Sequence, residues 1–281
     1  MMRMNDPELS INDTLAACIN GASRLPHKQR LISSANDLEQ ESDRYRTLGL
    51  TGDLYLIPAL VTDRAYNPVV LSDLTKNELI RLYEYYLRDK ETGREHYDNL
   101  LASADKCPFC GGLGESPKNL DHYLPKAFFS QFSILPFNLI PSCRDCNMDG
   151  KGTTYAETKE EQILHPILDQ PHFFEQQWIL SDYTPDPNDE REPGVFDFYT
   201  SPPDEWTDID KARVNKHFDE FDLGLRYSKK AGAELADVLA PLKYFSSVED
   251  FKRTNLQPVI DRALFANHWK KVMYMALMES L

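Results

Sequence analysis

Four of the five cysteines in this chain of 281 residues form two Cys-x-x-Cys pairs. The first is Cys107 and Cys110, in Lys106-Cys-Pro-Phe-Cys-Gly-Gly112; the second is Cys143 and Cys146, in Pro141-Ser-Cys-Arg-Asp-Cys-Asn147. Each such turn can present two thiolates to one ion. Two turns complete a closed four-sulfur shell, which suits a structural rather than a catalytic zinc. Redox chemistry needs only one pair, so zinc is the expectation. A module of about fifty residues with few large apolar side chains cannot fold on hydrophobic burial alone, and a metal staple supplies the difference. The fifth cysteine, Cys18 in Leu15-Ala-Ala-Cys-Ile19, reads as a small buried apolar residue.

Hydrophobic residues make up 41% of the chain, enough for a core and too many for global disorder. The length corresponds to about one or two domains. The net charge of −14 argues against a surface that binds nucleic acid everywhere, because phosphate affinity comes from Lys and Arg. That charge is uneven. Residues 101–155 carry five basic and five acidic side chains, whereas residues 181–222 carry four and thirteen. The Cys-rich segment is therefore the least acidic platform available. Paired metal-type cysteines fit a reducing cytoplasm. The N-terminus has no apolar signal core. The apolar stretch at 54–61 contains Pro58 and is far too short for a bilayer, so no membrane association is expected.

The periodicity predicts an α+β chain, mainly α. A helical region at 1–101 precedes a zinc module at 102–170, and an acidic loop with a helical region follows at 171–281. Helices are expected at 8–24 and at 27–46, the second ended by Gly49. The run at 55–61 fits a strand or a buried helix equally. Thr75 and Glu78 form a capping-box pattern that starts a helix, with Leu79, Leu82, Tyr83 and Tyr86 on one face and a break at Gly93. Tyr83 and Tyr86 read as core rather than as a base-stacking platform. Residues 181–208, with the Pro-rich run from Thr184 to Asn188, read as a long loop with one short strand at 195–199. Two helices are expected over 210–245 and one over 258–281.

Between the cysteine pairs lies Leu120-Asp-His-Tyr-Leu-Pro-Lys126, followed by Phe137-Asn-Leu-Ile140. A closed zinc site leaves Asp121 and His122 for other work. Asp121 can be a hard oxygen ligand for magnesium or manganese. His122 is a candidate general base, since its unperturbed pKa lies near neutrality. Neighbours on a strand face opposite ways, so both can serve one site only if the strand ends or bends here.

With the asparagines added, residues 107–152 resemble the HNH endonucleases of the ββα-metal type, in the subgroup with two Cys-x-x-Cys knuckles. The resemblance rests on Cys107-Pro-Phe-Cys-Gly, Leu120-Asp-His-Tyr-Leu-Pro-Lys, Asn138-Leu-Ile-Pro and Cys143-Arg-Asp-Cys-Asn, about a sixth of the chain. It implies a hairpin from 119 to 140 and a helix from about Arg144. It implies that His122 activates water, that Asp121 and Asn147 hold a single catalytic metal, and that Asn138 steadies the loop and orients the base. Lys118, Lys126, Arg144 and Lys151 are the nearest candidates for phosphate contacts. Many relatives carry Lys three residues after the final Asn; here Gly150 stands there and Lys151 follows. His165, in Leu164-His-Pro-Ile-Leu-Asp169, is a possible further metal ligand, with packing or capping as the alternative. His172, His217 and His268 receive no functional reading.

The pattern around His217 also loosely resembles the C-terminal helical part of HNH proteins of bacterial anti-phage systems, of the Septu- or retron-associated type. Together these resemblances imply a metal-dependent endonuclease acting on DNA ahead of RNA. They also imply targeting by a protein partner such as an ATPase or another defence component. The alternatives are a zinc-stapled interaction module without activity, a stand-alone restriction-type enzyme and an RNA-cleaving nuclease.

Overall fold

The computed structural model describes residues 1–60, 66–113, 116–186 and 194–281. The end of the 55–61 run and the end of the Thr184 run lie outside the described residues. Helix α1 (Ile11–Gly21) begins at Ser10, which takes the Asp13 N–H on its hydroxyl while the Asp13 carboxylate takes the Ser10 N–H. The helix buries Ile11, Leu15 and Cys18. Burial pushes the Cys18 thiol up to about 12, so it behaves as the small apolar residue expected.

The span 27–46 forms two helices rather than one, α2 (Leu25–Ser33) and α3 (Ala35–Leu50). Ser34 divides them: buried, it donates its hydroxyl to the Arg30 carbonyl at 2.8 Å, the kind of local bond that bends or interrupts a helix. Gly49 lies inside α3, against Leu168, and does not end it. At the start of the 55–61 run, Leu54–Leu56 form a single 3-10 turn.

A small ribbon, β1 (Val69–Leu71) with β2 (Leu74–Thr75), leads into α4 (Lys76–Arg81). The expected capping box is present: the Glu78 carboxylate accepts from the Thr75 N–H at 2.9 Å, and the Thr75 hydroxyl accepts from the Glu78 N–H. The helix continues as a wide π-helical turn over Leu82–Leu87, which buries Tyr83 and Tyr86 and leaves Tyr85 half-buried. Helix α5 (Glu91–Ala102) follows, so the break falls before Gly93. Gly93 sits in the first turn of α5, where a Cβ would strike the Tyr86 carbonyl.

Strand β3 (Asn119–His122) pairs antiparallel with β4 (Leu139–Ser142), placing His122 opposite Leu139. This is the expected hairpin, and α5 packs on both strands. A helical segment follows at Asp145–Lys151, near the expected start. It is a π-helical turn rather than an α-helix, with the Gly152 N–H donating to the Asn147 carbonyl five residues back.

Beyond a four-residue helix α6 (His172–Glu175), the acidic stretch holds a second hairpin, β5 (Ile179–Thr184) with β6 (Val195–Thr200). Strand β6 is as expected; β5 replaces part of the expected loop. Helices α7 (Asp208–Glu220) and α8 (Leu223–Leu239) also match expectation. Then come α9 (Val248–Phe251), α10 (Gln257–Asp261) and α11 (Trp269–Ser280). The single helix expected over 258–281 is thus broken. The break has a tertiary cause: buried Asn267 accepts from the Trp178 and Ile179 N–H groups at 2.7 and 2.9 Å and donates to the Gln176 carbonyl at 2.9 Å. β5 packs on α11 and β6 on α8, and one connected apolar cluster runs from α1 to α11. Helices dominate over three two-stranded sheets among the described residues, a mainly helical α+β fold. Among the described residues no helix is long and apolar enough to cross a membrane.

Candidate metal centre and adjoining cleft

The sulfurs of Cys107, Cys110, Cys143 and Cys146 all lie within 4.8 Å of one another, and all four residues are buried. Four soft donors at that spacing can hold one tetrahedral structural ion such as zinc. Local sequence makes the first knuckle possible. Gly111 and Gly112 take φ of +66° and +82°, and the Gly112 N–H closes the turn on the Cys107 carbonyl at 3.1 Å.

The C-terminal helices clasp this centre. Phe109 stacks on Phe221 with ring centroids 5.0 Å apart, and its carbonyl accepts from His217 Nε2 at 2.8 Å. Tyr227 donates to the Cys110 carbonyl at 3.0 Å. The Arg226 guanidinium lies 3.4 Å from the Cys146 sulfur and pairs with Asp145 at 3.3 Å, placing a cation beside the cysteine cluster. Burial pushes the His217 imidazole down to about 3, so it braces the knuckle as a neutral donor. No role at this centre was legible in the sequence for His217, Arg226 or Tyr227, because each acts across more than seventy residues of chain.

Asp121 and His122 are the last two residues of β3. Both line a cleft of about 560 Å³ together with Asn147, Lys126 and Tyr83. His122 is buried, its ring edge-on to Tyr83 at 4.4 Å. Its Nε2 lies 2.9 Å from the Ser133 carbonyl; a carbonyl only accepts, so Nε2 carries the proton and Nδ1 the lone pair. Burial pushes the imidazole down to about 3, which keeps it neutral. Burial raises the Asp121 carboxyl, against the pull of the Lys151 ammonium 3.4 Å away. Asp121 Oδ2 is nevertheless buried without a hydrogen-bond partner. A buried carboxylate oxygen without a hydrogen bond, in a cleft that an Asn amide also lines, is a donor set that fits a hard divalent cation.

Asn138 is fully buried and ties the loop between the strands together. Its carbonyl oxygen accepts from the Leu124 N–H at 2.7 Å and the Tyr45 hydroxyl at 3.0 Å, and its amide donates to the Leu124 and Phe132 carbonyls. Phe132 precedes Ser133, so this amide anchors the peptide next to the carbonyl that orients His122. Tyr45 and Ser133 had no sequence signal.

His165 stands outside the cleft lining. Its Nδ1 accepts from the Ile167 and Leu168 N–H groups at 3.2 Å, and its Nε2 faces the Phe137 carbonyl and the Tyr45 hydroxyl. Both nitrogens are engaged, which is the packing and capping alternative; the ring reaches Asn138 only through Tyr45. Asp169 caps the His165 N–H at 2.6 Å and pairs with buried Arg213, also at 2.6 Å. Asp169→Asn leaves that guanidinium buried without a countercharge. It is expected to destabilise the fold by about 3–5 kcal/mol, read from chemical denaturation midpoints.

The four phosphate-contact candidates separate. Arg144 is exposed at the start of the wide turn, and Lys126 lines the cleft, 3.6 Å from Glu84. Lys118 enters the hairpin through its backbone, which donates to the Ser142 carbonyl. Lys151 does not face solvent: it is 2% exposed and its ammonium donates to the His122 carbonyl at 2.7 Å. A π turn accommodates one residue more than an α turn. The wide turn at Asp145–Lys151 thereby takes up Gly150 and brings Lys151 inward beneath the hairpin.

The whole chain aligns with protein ea31 of Escherichia phage lambda at 35% identity, covering 98% of that protein. The chain belongs to the ea31 family. This family member is also 38% identical over 75 residues to the Septu protein PtuB of Bacillus thuringiensis, a match covering 26% of the chain and 28% of PtuB. No protein-family model matches it, and no solved structure does.

Proposed function

We propose that this ea31-family chain is a metal-dependent HNH-type endonuclease acting on DNA ahead of RNA, with a protein partner in anti-phage defence. The observation that carries this reading is the convergence of Asp121, His122 and Asn147 on one cleft beside the four-cysteine cluster. Neutral His122, with its lone pair on Nδ1, can take a proton from an attacking water. The Ser133 carbonyl holds the ring, and Asn138 holds the loop that carries Ser133. Asp121 and Asn147 would hold magnesium or manganese. When bound, such an ion supplies Lewis-acid stabilisation of the scissile phosphate and the leaving oxygen. The four-cysteine centre fixes the second knuckle, and with it the position of Asn147 one residue beyond Cys146.

Two observations support a partner. The chain carries a charge of −14, which opposes unaided capture of nucleic acid, and it shares a segment with a Septu protein. Incubation of the full chain with supercoiled plasmid should give nicked product with magnesium or manganese and none with chelator. Added manganese should restore nicking after chelation. Single-stranded DNA and RNA in parallel identify the preferred substrate. Absence of cleavage of every nucleic acid, alone and with the product of the neighbouring gene, would contradict the reading.

A further inference from the structure

The cleft does not end at His122. It shares Ile80, Glu84 and Arg88 with a hollow of about 480 Å³, which in turn shares Arg81 and Tyr85 with a third hollow of about 630 Å³. The three run as a track across α4 and the π-helical turn at Leu82–Leu87. Six Lys and Arg side chains line it (Arg24, Arg30, Arg81, Arg88, Lys90 and Lys126), against four Asp and Glu. Over the whole chain the balance is the reverse, 31 against 45.

At the centre of the track Arg88 pairs with Asp89 at 2.7 Å, whereas Arg81 and Lys90 are not consumed by carboxylates. Arg81 is held against the Tyr85 ring at 4.4 Å and Lys90 at 5.3 Å, and among the described residues neither forms an ion pair. A ring that holds two cations without neutralising them leaves both able to meet an anion. The π turn makes this possible by burying Tyr83 and Tyr86 while leaving Tyr85 only half-buried.

We propose that this track carries the phosphodiester backbone of the nucleic-acid substrate into the cleft, with Arg81 and Lys90 on its phosphates. The proposal rests on the nuclease reading, and its test separates the two. Binding of a labelled oligonucleotide to the full chain is measured by fluorescence anisotropy across a salt series without added divalent ions. The slope of log affinity against log salt should be shallower by about 2 in the double variant Arg81→Ala/Lys90→Ala, one for each phosphate that is no longer neutralised. Its melting temperature should stay that of the wild type. Arg44→Ala/Arg253→Ala, which removes exposed arginines elsewhere, should leave the slope unchanged. An unchanged slope and affinity in the first variant, or no binding by the wild type, overturns the track. A wild type that binds through the track but cuts nothing removes the nuclease reading and leaves the track standing. A wild type that cuts, beside a double variant that binds and cuts equally well, does the opposite.

Discussion

Cys143→Ser is expected to empty the four-cysteine centre and release the segment that it closes. One thiolate in four is removed, and the remaining three no longer complete a tetrahedral shell. In small zinc peptides, metal binding contributes about 10–16 kcal/mol to folding. The net loss here should be several kcal/mol, because part of the knuckle is also held by the core. Phe109 is stacked on Phe221, and its carbonyl is bound by His217. Those same interactions predict where the damage spreads. With the knuckle released, α7 and α8 lose the partners of His217, Arg226 and Tyr227. Bound zinc should fall from one ion per chain to nearly none, the melting temperature should drop, and amide exchange should rise first in α7 and α8. A zinc-free variant with wild-type melting and exchange would contradict a structural metal centre.

The second large effect concerns chemistry rather than fold. His122→Ala removes the group proposed to accept the proton from water, and cleavage should fall by about 10²–10⁴-fold. The ring is also a packing element, edge-on to Tyr83 and bonded to the Ser133 carbonyl. Its deletion should therefore cost about 1–3 kcal/mol of stability as well. His122→Asn fills more of the space and offers no comparable base. It should be the more stable of the two variants and equally inactive, a pairing that separates the chemical role of the ring from its packing role.

The four-cysteine cluster and the start of α4 were legible in the sequence because their signals are local, and the hairpin because the motif resembles a known family. Cys-x-x-Cys spacing, the Asp-His pair and the Thr75–Glu78 cap each act over a few residues. Long-range features were not legible. Strand β5 was hidden because its inward-facing Ser181 is polar and because it leads into an acidic, Pro-rich stretch. The turn between α10 and α11 depends on Asn267 reaching backbone groups about ninety residues away, and no helical pattern records that. Gly49 and Gly93 looked like helix breakers, yet both sit inside helices at close approaches to other parts of the chain. The placement of Lys151 escaped for a related reason. A single extra residue was absorbed by a change of helical winding, which turned a candidate surface cation into a buried partner of Asp121.

We propose that His122 and the cleft it lines hydrolyse phosphodiesters. The most direct measurement compares plasmid nicking by the wild type and by His122→Ala in manganese, with zinc content and melting temperature recorded for both. The wild type should nick the plasmid and the variant should not, at equal zinc occupancy and with both chains folded. Equal nicking by a folded, zinc-loaded His122→Ala chain would rule out His122 as the base.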